Sequence, residues 1–202
     1  MTLWAIVPIK PMRLGKSRLA TVLSEEERAA LNRQLLARTV ETLKSVPELE
    51  QVLVVSRDTA ALALARKHGA RTVLEDDESH LNMALARATF VARRFNTHGI
   101  LVLPADLPLL RAEDVRALLE AARQPPAVVI VPDRKREGTN ALVITPPGLI
   151  SYHFGPGSFR RHCDLAREAG ARLEVLELPS LAIDLDWPED LKLLEEQNLA
   201  LR

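Results

Sequence analysis

Three aspartates stand where apolar segments of the sequence end. Asp106 is the only charged residue in the apolar run 99–110, and Asp184 and Asp186 stand two residues apart in the segment 181–191. Residues i and i+2 of an extended chain project to the same face, so these two carboxylates repel each other unless a cation neutralises them. Magnesium takes one or two carboxylates together with substrate phosphates. The sequence therefore predicts a divalent-cation site at these aspartates.

Each of these aspartates also has a purely structural alternative. Asp106 could cap the helix that follows it, although it stands slightly early for that position. Asp186 could be the N-cap of a helix with Pro188 in its first turn. Asp184 has no such alternative and is therefore a better ligand candidate than Asp186.

A basic segment follows the first apolar run of the chain. Lys10, Arg13, Lys16 and Arg18 are four cations within nine residues. Ammonium and guanidinium groups make charge-assisted hydrogen bonds to phosphate oxygens, so the segment could clamp a triphosphate. A solvated charge run is the alternative. The segment is not a P-loop, because Lys10 stands where that motif needs its first glycine.

Further polar positions lie in the second half of the chain and at one helix start. The segments 132–134, 138–140 and 154–159 combine glycines with Thr139 and Ser158. Glycine turns before a helix start can offer backbone N–H groups to an anion, although most such turns bind nothing. Asn82, at the start of an apolar helix, could contact a nucleotide base or cap the helix.

The elements that must position these residues alternate in type along the chain. Short apolar runs predict strands, and segments of helical period predict helices, which together form repeated βαβ units of an α/β domain. The predicted strands are 3–7, 51–56, 70–74, 99–103, 127–131, 141–144 and 172–176. The predicted helices are a long one after the capping box Ser24–Glu27, and then 59–68, 79–95, 112–123, 158–169 and 188–197. In such a sheet, ligands bind outside the carboxyl ends of the strands.

Composition limits the function classes. The 202 residues are 47% hydrophobic and 3% aromatic, and 27 basic residues balance 27 acidic ones. This predicts one domain over residues 1–202 and argues against a nucleic-acid or membrane partner. One cysteine, Cys163, and no signal-peptide pattern favour a cytoplasmic protein. Tyr152 and Trp187, if exposed, are candidates for a homodimer surface.

The ordered set of these motifs resembles one family. The matching residues run from about 3 to 192 and comprise Val7-Pro8-Ile9-Lys10, Lys16-Ser17-Arg18-Leu19, Leu81-Asn82, Ala105-Asp106-Leu107-Pro108, Pro132-Asp133, Gly138-Thr139-Asn140, Phe154-Gly155, Ser158-Phe159, His162 and Ile183-Asp184-Leu185-Asp186. They are similar to the guanylyltransferases of deazaflavin (coenzyme F-420) biosynthesis, which act on 2-phospho-L-lactate or phosphoenolpyruvate.

The resemblance implies a single-domain Rossmann-like nucleotidyltransferase of the GT-A type, with a mixed, mostly parallel sheet flanked by helices. It implies GTP, a small phosphorylated acid, and Mg²⁺ or Mn²⁺ as the bound groups. The implied metal ligands are Asp106, Asp184 and Asp186, and the implied catalytic residues are Asp106, Lys16 and Arg18. The implied phospho-acid residues are Thr139, Gly155 and Ser158, and the implied nucleotide residues are Lys10, Lys16, Arg18 and Asn82.

The expected reaction is attack of the acceptor's phosphate oxygen on the α-phosphorus of GTP, with pyrophosphate leaving in line. Cys163 and His162 need no catalytic part in it, although His162 could orient Ser158. Two alternatives stay open. One is a related transferase that uses CTP, another nucleotide or another acceptor, such as 3-phospho-D-glycerate or a sugar phosphate. The other is a non-catalytic nucleotide-binding domain.

Overall fold

A computed structural model describes residues 2–75 and 80–196 of the chain. Its strands are β1 Leu3–Pro8, β2 Leu49–Ser56, β3 Arg71–Leu74, β4 Gly99–Val102, β5 Ala127–Pro132, β6 Thr139–Thr145 and β7 Arg172–Val175. Its helices are α1 Glu25–Lys44, α2 Thr59–Lys67, α3 Leu81–Arg93, α4 Ala112–Ala121, α5 Ser158–Glu168 and α6 Pro188–Glu196, and a short 3₁₀ helix spans Ser17–Thr21.

Every strand and helix predicted from the sequence has its counterpart among the described residues. The boundaries shift by a few residues, and the 3₁₀ helix was not predicted. The predicted ends Ser79 and Gln197 lie outside the described residues. Local periodicity and capping signals thus identify the elements of this chain, including the capping box at Ser24, whose hydroxyl accepts from the N–H of Glu27.

The strands form one seven-stranded sheet in the order β3-β2-β1-β4-β6-β5-β7. Within the described residues, β6 is antiparallel to both of its neighbours, and the other neighbouring strands pair in parallel. The predicted fold class, a mixed and mostly parallel α/β sheet, is confirmed. Because β6 runs opposite to β4, the first residue of β6 lies at the sheet edge where β4 ends.

Helices cover both faces of the sheet. Successive residues of β1 alternate between the two cores: Ala5 and Val7 join the cluster that contains residues of α1, α2 and α4. Trp4 and Ile6 join the cluster that contains residues of α3 and α5. Among the described residues, none of the helices has the length and apolar character needed to span a membrane.

The core that contains residues of α3 and α5 includes Cys163 and Tyr152, about which expectations were stated from sequence. Cys163 is a buried free cysteine of this core, as expected for a thiol without a catalytic part. The exposure expected for Tyr152 is wrong: it is 7% exposed. Its hydroxyl lies 2.6 Å from the Thr89 hydroxyl, which satisfies the polar end of a buried ring. Tyr152 is therefore not available to a homodimer surface.

The imidazole of His162 connects α5 to β6 and to the segment between them. Its Nδ1 lies 3.0 Å from the hydroxyl of Thr139, and its Nε2 accepts the N–H of His153 at 3.0 Å. Burial, and then the charges of His153 and Arg161, lower the pKa of His162 from 6.5 to about 4. The ring is therefore neutral in the folded protein near neutral pH.

We expect this histidine to make stability depend on pH. Between pH 6.5 and about 4 the unfolded chain binds a proton at His162 that the folded chain does not bind, so folding stability falls as pH falls through this window. The stabilisation is fully present above the unfolded pKa, and about 3 kcal/mol of folding stability is lost across the whole window. Denaturant unfolding of the wild type and of His162→Asn at a series of pH values measures it.

Because other groups also titrate, the difference between the two proteins is the informative quantity. The stability advantage of the wild type over His162→Asn should shrink steadily as the pH is lowered through the window. A difference that stays constant with pH would contradict the assignment of a neutral, buried imidazole.

Candidate active site

The loop after β1 is held at the residue Met12 by two side chains from other elements. The N–H of Met12 donates to Oδ2 of Asp58 at 2.8 Å, and its carbonyl accepts from Nδ2 of Asn32 at 2.7 Å. Asp58 also caps α2, since its Oδ1 accepts the N–H groups of Ala60 and Ala61. The basic loop is therefore anchored to α1 and to the start of α2, and it is not a freely solvated charge run.

The backbone of the loop then turns Lys16 inward. A Cβ atom at Gly15 would lie 2.7 Å from Nδ2 of Asn32, so the loop can pass this close only with glycine. Lys16 itself adopts a left-handed conformation, with φ 57° and ψ 34°. Its side chain is 5% exposed, which is unusually buried for a lysine and requires charged partners.

Those partners are two of the predicted aspartates. Nζ of Lys16 lies 3.1 Å from Oδ2 of Asp106 and 3.3 Å from Oδ1 of Asp186. Burial lowers the pKa of Lys16, but the charges of Asp106 and Asp186 outweigh burial and the net effect raises the pKa. Lys16 is therefore a fixed cation that connects three distant parts of the chain.

Arg18 extends the same charge network. Its NH1 atom lies 2.8 Å from Oδ2 of Asp186, and its guanidinium stacks over the ring of Trp187 at 4.7 Å from the centroid. Arg13 does not join the network, because its guanidinium pairs with Glu25 at 3.1 Å on the surface. Of the basic loop, Lys16 and Arg18 thus contact the aspartates.

Apolar residues between the charged ones hold the site together. Leu19 follows Arg18, Leu185 separates Asp184 from Asp186, and the two leucines are fully buried members of one small cluster with residues of α1 and α6. The N–H of Leu185 also donates to the carbonyl of Asp106 at 2.9 Å. Packing and one backbone hydrogen bond therefore position the site from both sides.

The structural alternatives for the aspartates are not what the structure shows. The N-cap of α4 is Arg111, so Asp106 does not cap that helix. The carboxylate of Asp190 accepts the N–H groups of Asp186 at 3.1 Å and Trp187 at 2.7 Å. Asp190 thus accepts the N–H groups that precede α6, whereas the two carboxylate oxygens of Asp186 accept from Lys16 and Arg18.

The donor set suits a hard divalent cation. Oδ1 of Asp106 is buried and has no hydrogen-bond partner among the described residues. Burial, and then the charge of Asp106, raise the pKa of Asp184, so a cation beside this carboxylate would be favourable. No three His, Cys, Asp or Glu side chains of residues 2–75 and 80–196 form a ready cage. Magnesium does not need one, because substrate phosphates complete its shell.

A cleft of about 400 Å³ opens beside Lys16 and Asp106. That volume is within the range of small-ligand sites. Lys10 lines the cleft, as do Lys16, Asp106 and Asp186. Sequence reasoning did not single out the other polar residues of the lining, which are Asn32, Arg57, Glu75 and His80.

Asn82 makes contacts other than those expected from sequence. Its Oδ1 accepts the N–H of Phe154 at 2.7 Å, and its Nδ2 donates to the carbonyl of Phe154 at 3.2 Å. The N-cap of α3 is His80, so the capping alternative for Asn82 is wrong. Asn82 fastens the segment that leads into Gly155, and its nucleotide contact stays a prediction.

Two of the three residues expected to hold the phosphorylated acid, Gly155 and Ser158, lie at the start of α5, and the third, Thr139, is the first residue of β6. Gly155 adopts φ 129° and precedes the N-cap Gly157, and Ser158 begins the helix. The N–H of Ser158 donates to the carbonyl of Gly155, and that of Phe159 donates to Glu137, so these two groups are not available to an anion. His162 pairs with Thr139, so the expectation that His162 orients Ser158 is not what the structure shows.

Sequence reasoning missed the residues that position the site: Asn32, Asp58 and Asp190. The cap signal of Asp58 before α2 was readable locally, but its second bond reaches back 46 residues to Met12. Of the three, Asn32 was the easiest to find from the sequence, because a buried amide on the apolar face of a helix needs a hydrogen-bond partner.

Comparison with known proteins identifies the family of this chain. The family model "Guanylyl transferase CofC like" matches residues 3–195. A phosphoenolpyruvate guanylyltransferase of Rubrobacter xylanophilus is 46% identical over 195 residues, which cover 96% of this chain and 94% of the relative. A 3-phospho-D-glycerate guanylyltransferase of Colwellia psychrerythraea is 32% identical, with 94% and 89% covered.

The fold has solved relatives as well. A nucleotidyl transferase of Methanothermobacter thermautotrophicus superposes with a TM-score of 0.69 at 17% identity, and the match covers 99% of each chain. The family model spans almost the whole sequence, and its range contains the positions of Lys16, Arg18, Asp106 and Asp186. The chain is therefore a nucleotidyltransferase that belongs to the CofC-like guanylyl transferase family.

Proposed function

We propose that this enzyme transfers GMP from GTP to the phosphate of phosphoenolpyruvate and releases pyrophosphate. The observation that carries the proposal is the buried ammonium of Lys16 between Asp106 and Asp186, beside a cleft of about 400 Å³. Two substrates that carry phosphates repel each other, and a fixed set of cations beside carboxylate ligands is what brings them together.

The choice of acceptor follows the similarity of the relatives. The relative at 46% identity is named for phosphoenolpyruvate, and the relative at 32% for 3-phospho-D-glycerate. 2-Phospho-L-lactate differs from phosphoenolpyruvate by one double bond, and small apolar differences give about 10 to 200-fold discrimination. The guanylylated acid would enter the biosynthesis of the deazaflavin coenzyme F-420.

The basic residues have distinct parts in this proposal. An ammonium has three N–H donors, and Asp106 and Asp186 account for two of those of Lys16, so the third can bind a phosphate oxygen in the cleft. The guanidinium of Arg18 stabilises the charge that develops on the departing pyrophosphate. Lys10 lines the cleft and adds a further cation for the triphosphate.

No protein nucleophile is required, because an oxygen of the acceptor's phosphate attacks the α-phosphorus directly. Asp106 and Asp184, with Asp186 beside them, are the proposed ligands of Mg²⁺ or Mn²⁺. Such an ion, when bound, neutralises phosphate charge and aligns the two reactants. Thr139, Gly155 and Ser158 hold the phosphorylated acid, and Asn82 is the proposed contact near the guanine.

A substrate panel tests the proposal. We expect pyrophosphate release with GTP and phosphoenolpyruvate in the presence of Mg²⁺, with the guanylylated acid identified by mass. ATP, CTP and UTP, and 2-phospho-L-lactate, 3-phospho-D-glycerate and a sugar phosphate, serve as competitors. A clear preference for another nucleotide or acid would replace the proposed substrate, and binding without pyrophosphate release would mean a non-catalytic domain.

Asp106→Asn tests the metal site. We expect the fold to be retained and metal-dependent turnover to fall by about 100-fold or more, because a neutral amide is a poorer Mg²⁺ ligand. Circular dichroism checks the fold, and pyrophosphate release measures the turnover. The matched control is Asp164→Asn on the surface of α5, where the carboxylate pairs with Arg160 and Arg167. Normal turnover in the Asp106 variant would remove Asp106 from the metal site.

Lys16→Met tests the cation between the aspartates. The methionine keeps the length of the side chain but loses the charge, and we expect the KM for GTP to rise by about 10 to 100-fold, the worth of a charge-assisted hydrogen bond. Arg13→Gln in the same loop is the control, since Arg13 pairs with Glu25 on the surface. Equal effects of the two variants would indicate a general charge effect and contradict the assigned contact.

A further inference from the structure

One buried imidazole touches the parts of the chain that are proposed to hold the phosphorylated acid. His162 is fully buried. Its Nδ1 faces the hydroxyl of Thr139, and its Nε2 accepts from the backbone of His153, two residues before Gly155. It also lies one helical turn after Ser158 on α5 and packs edge-on against Phe154 at 5.0 Å.

The direction of these hydrogen bonds is fixed by chemistry. A backbone N–H can only donate, so Nε2 of His162 has no proton. The lowered pKa of about 4 keeps the ring neutral, and a neutral imidazole with a bare Nε2 has its proton on Nδ1. Nδ1–H therefore donates to Oγ1 of Thr139.

The hydroxyl proton of Thr139 must then point away from the ring. The reverse arrangement, in which Thr139 donates to Nδ1, would leave both ring nitrogens without protons. That is an imidazolate, which a buried site near neutral pH does not support. Phosphate and carboxylate oxygens are acceptors, so a hydroxyl that presents its proton is suited to them, and one that presents a lone pair repels them.

The surrounding contacts hold this arrangement in place. Asn82 binds both the N–H and the carbonyl of Phe154, and His162 binds the N–H of the residue before it. Thr139 is the first residue of β6, at the sheet edge where β4 ends. His162, itself held by the N–H of His153, thus fixes the Thr139 hydroxyl at the sheet edge where Asp106 lies.

We propose that His162 is a positioning residue that fixes the Thr139 hydroxyl as a hydrogen-bond donor to an anionic oxygen of the phosphorylated acid. This inference rests on the proposed function. His162 does not contact the substrate and takes no part in proton transfer. Its effect is on the binding of the acid and not on the binding of GTP.

Two amide variants separate the two nitrogens of the ring. In His162→Asn the side-chain N–H₂ can replace Nδ1–H as the donor to Thr139. In His162→Gln the longer side chain reaches the Nε2 position and accepts from His153, so Thr139 loses its donor. We expect His162→Gln, but not His162→Asn, to raise the KM for the acid by about 10-fold, with the KM for GTP unchanged in both.

Thr139→Val is the companion variant. It should raise the KM for the acid as much as His162→Gln does, and the double variant should add nothing further, because both changes remove the same donor. Circular dichroism and the thermal midpoint of each variant establish that it is folded. An equal rise of the acid KM in both amide variants, in proportion to their loss of stability, would overturn the proposal, as would an effect on the KM for GTP.

Nitrogen-15 NMR of the ligand-free protein gives a readout that does not depend on turnover. We expect the shifts of a neutral ring protonated on Nδ1, and a ring protonated on Nε2 would overturn the proposal. An enzyme that is inactive with every phosphorylated acid would contradict the proposed function. The tautomer would then still decide whether Thr139 accepts from His162.

Discussion

The contact between the ammonium of Lys16 and two carboxylates is the constraint on which the rest of the site depends. A lysine with 5% of its side chain exposed has lost most of its hydration, and close opposite charges are what compensates. Asp106 and Asp186 supply them from positions 90 and 170 residues away. The loop after β1, the loop after β4 and the segment before α6 must therefore meet at one point. The anchoring of Met12 by Asn32 and Asp58 and the burial of Leu19 with Leu185 serve that requirement.

The same features that made the fold predictable pointed to the aspartates. Strands buried on both faces are short runs of Val, Ile and Leu, so the strands could be located from local pattern alone. A charge at the end of such a run is conspicuous because it contradicts its surroundings, which is how Asp106, Asp184 and Asp186 were found. The position of Asp106 followed from topology, since ligands bind outside the carboxyl ends of parallel strands. Asp184 and Asp186 lie between β7 and α6 and not at the end of a strand, so topology did not place them beside Asp106.

Contacts between residues distant in sequence could not be predicted. Nothing near Lys16 indicates that Asp106 and Asp186 share its ammonium, and nothing near His162 indicates that its partner is Thr139 and not Ser158. The start of α5 is a similar case. Its glycines suggested free N–H groups, but the carbonyls of Gly155 and Glu137 accept two of them. Tyr152 was misjudged because the partner of its buried hydroxyl, Thr89, is 63 residues away.

The antiparallel strand β6 brings the start of one strand to the sheet edge where its neighbour β4 ends. In a parallel strand the residue at the start lies at the opposite edge from the ends of its neighbours. Since β6 runs against β4, with Ile100 opposite Ile144 and Val102 opposite Leu142, its first residue lies at the edge where Asp106 follows β4. Thr139, at the start of β6, and Asp106, after the end of β4, therefore lie at the same sheet edge. Reversal of this one strand brings Thr139 to the sheet edge of Asp106 and leaves the parallel framework around β1 unchanged, and in the proposed function both substrates bind at this edge.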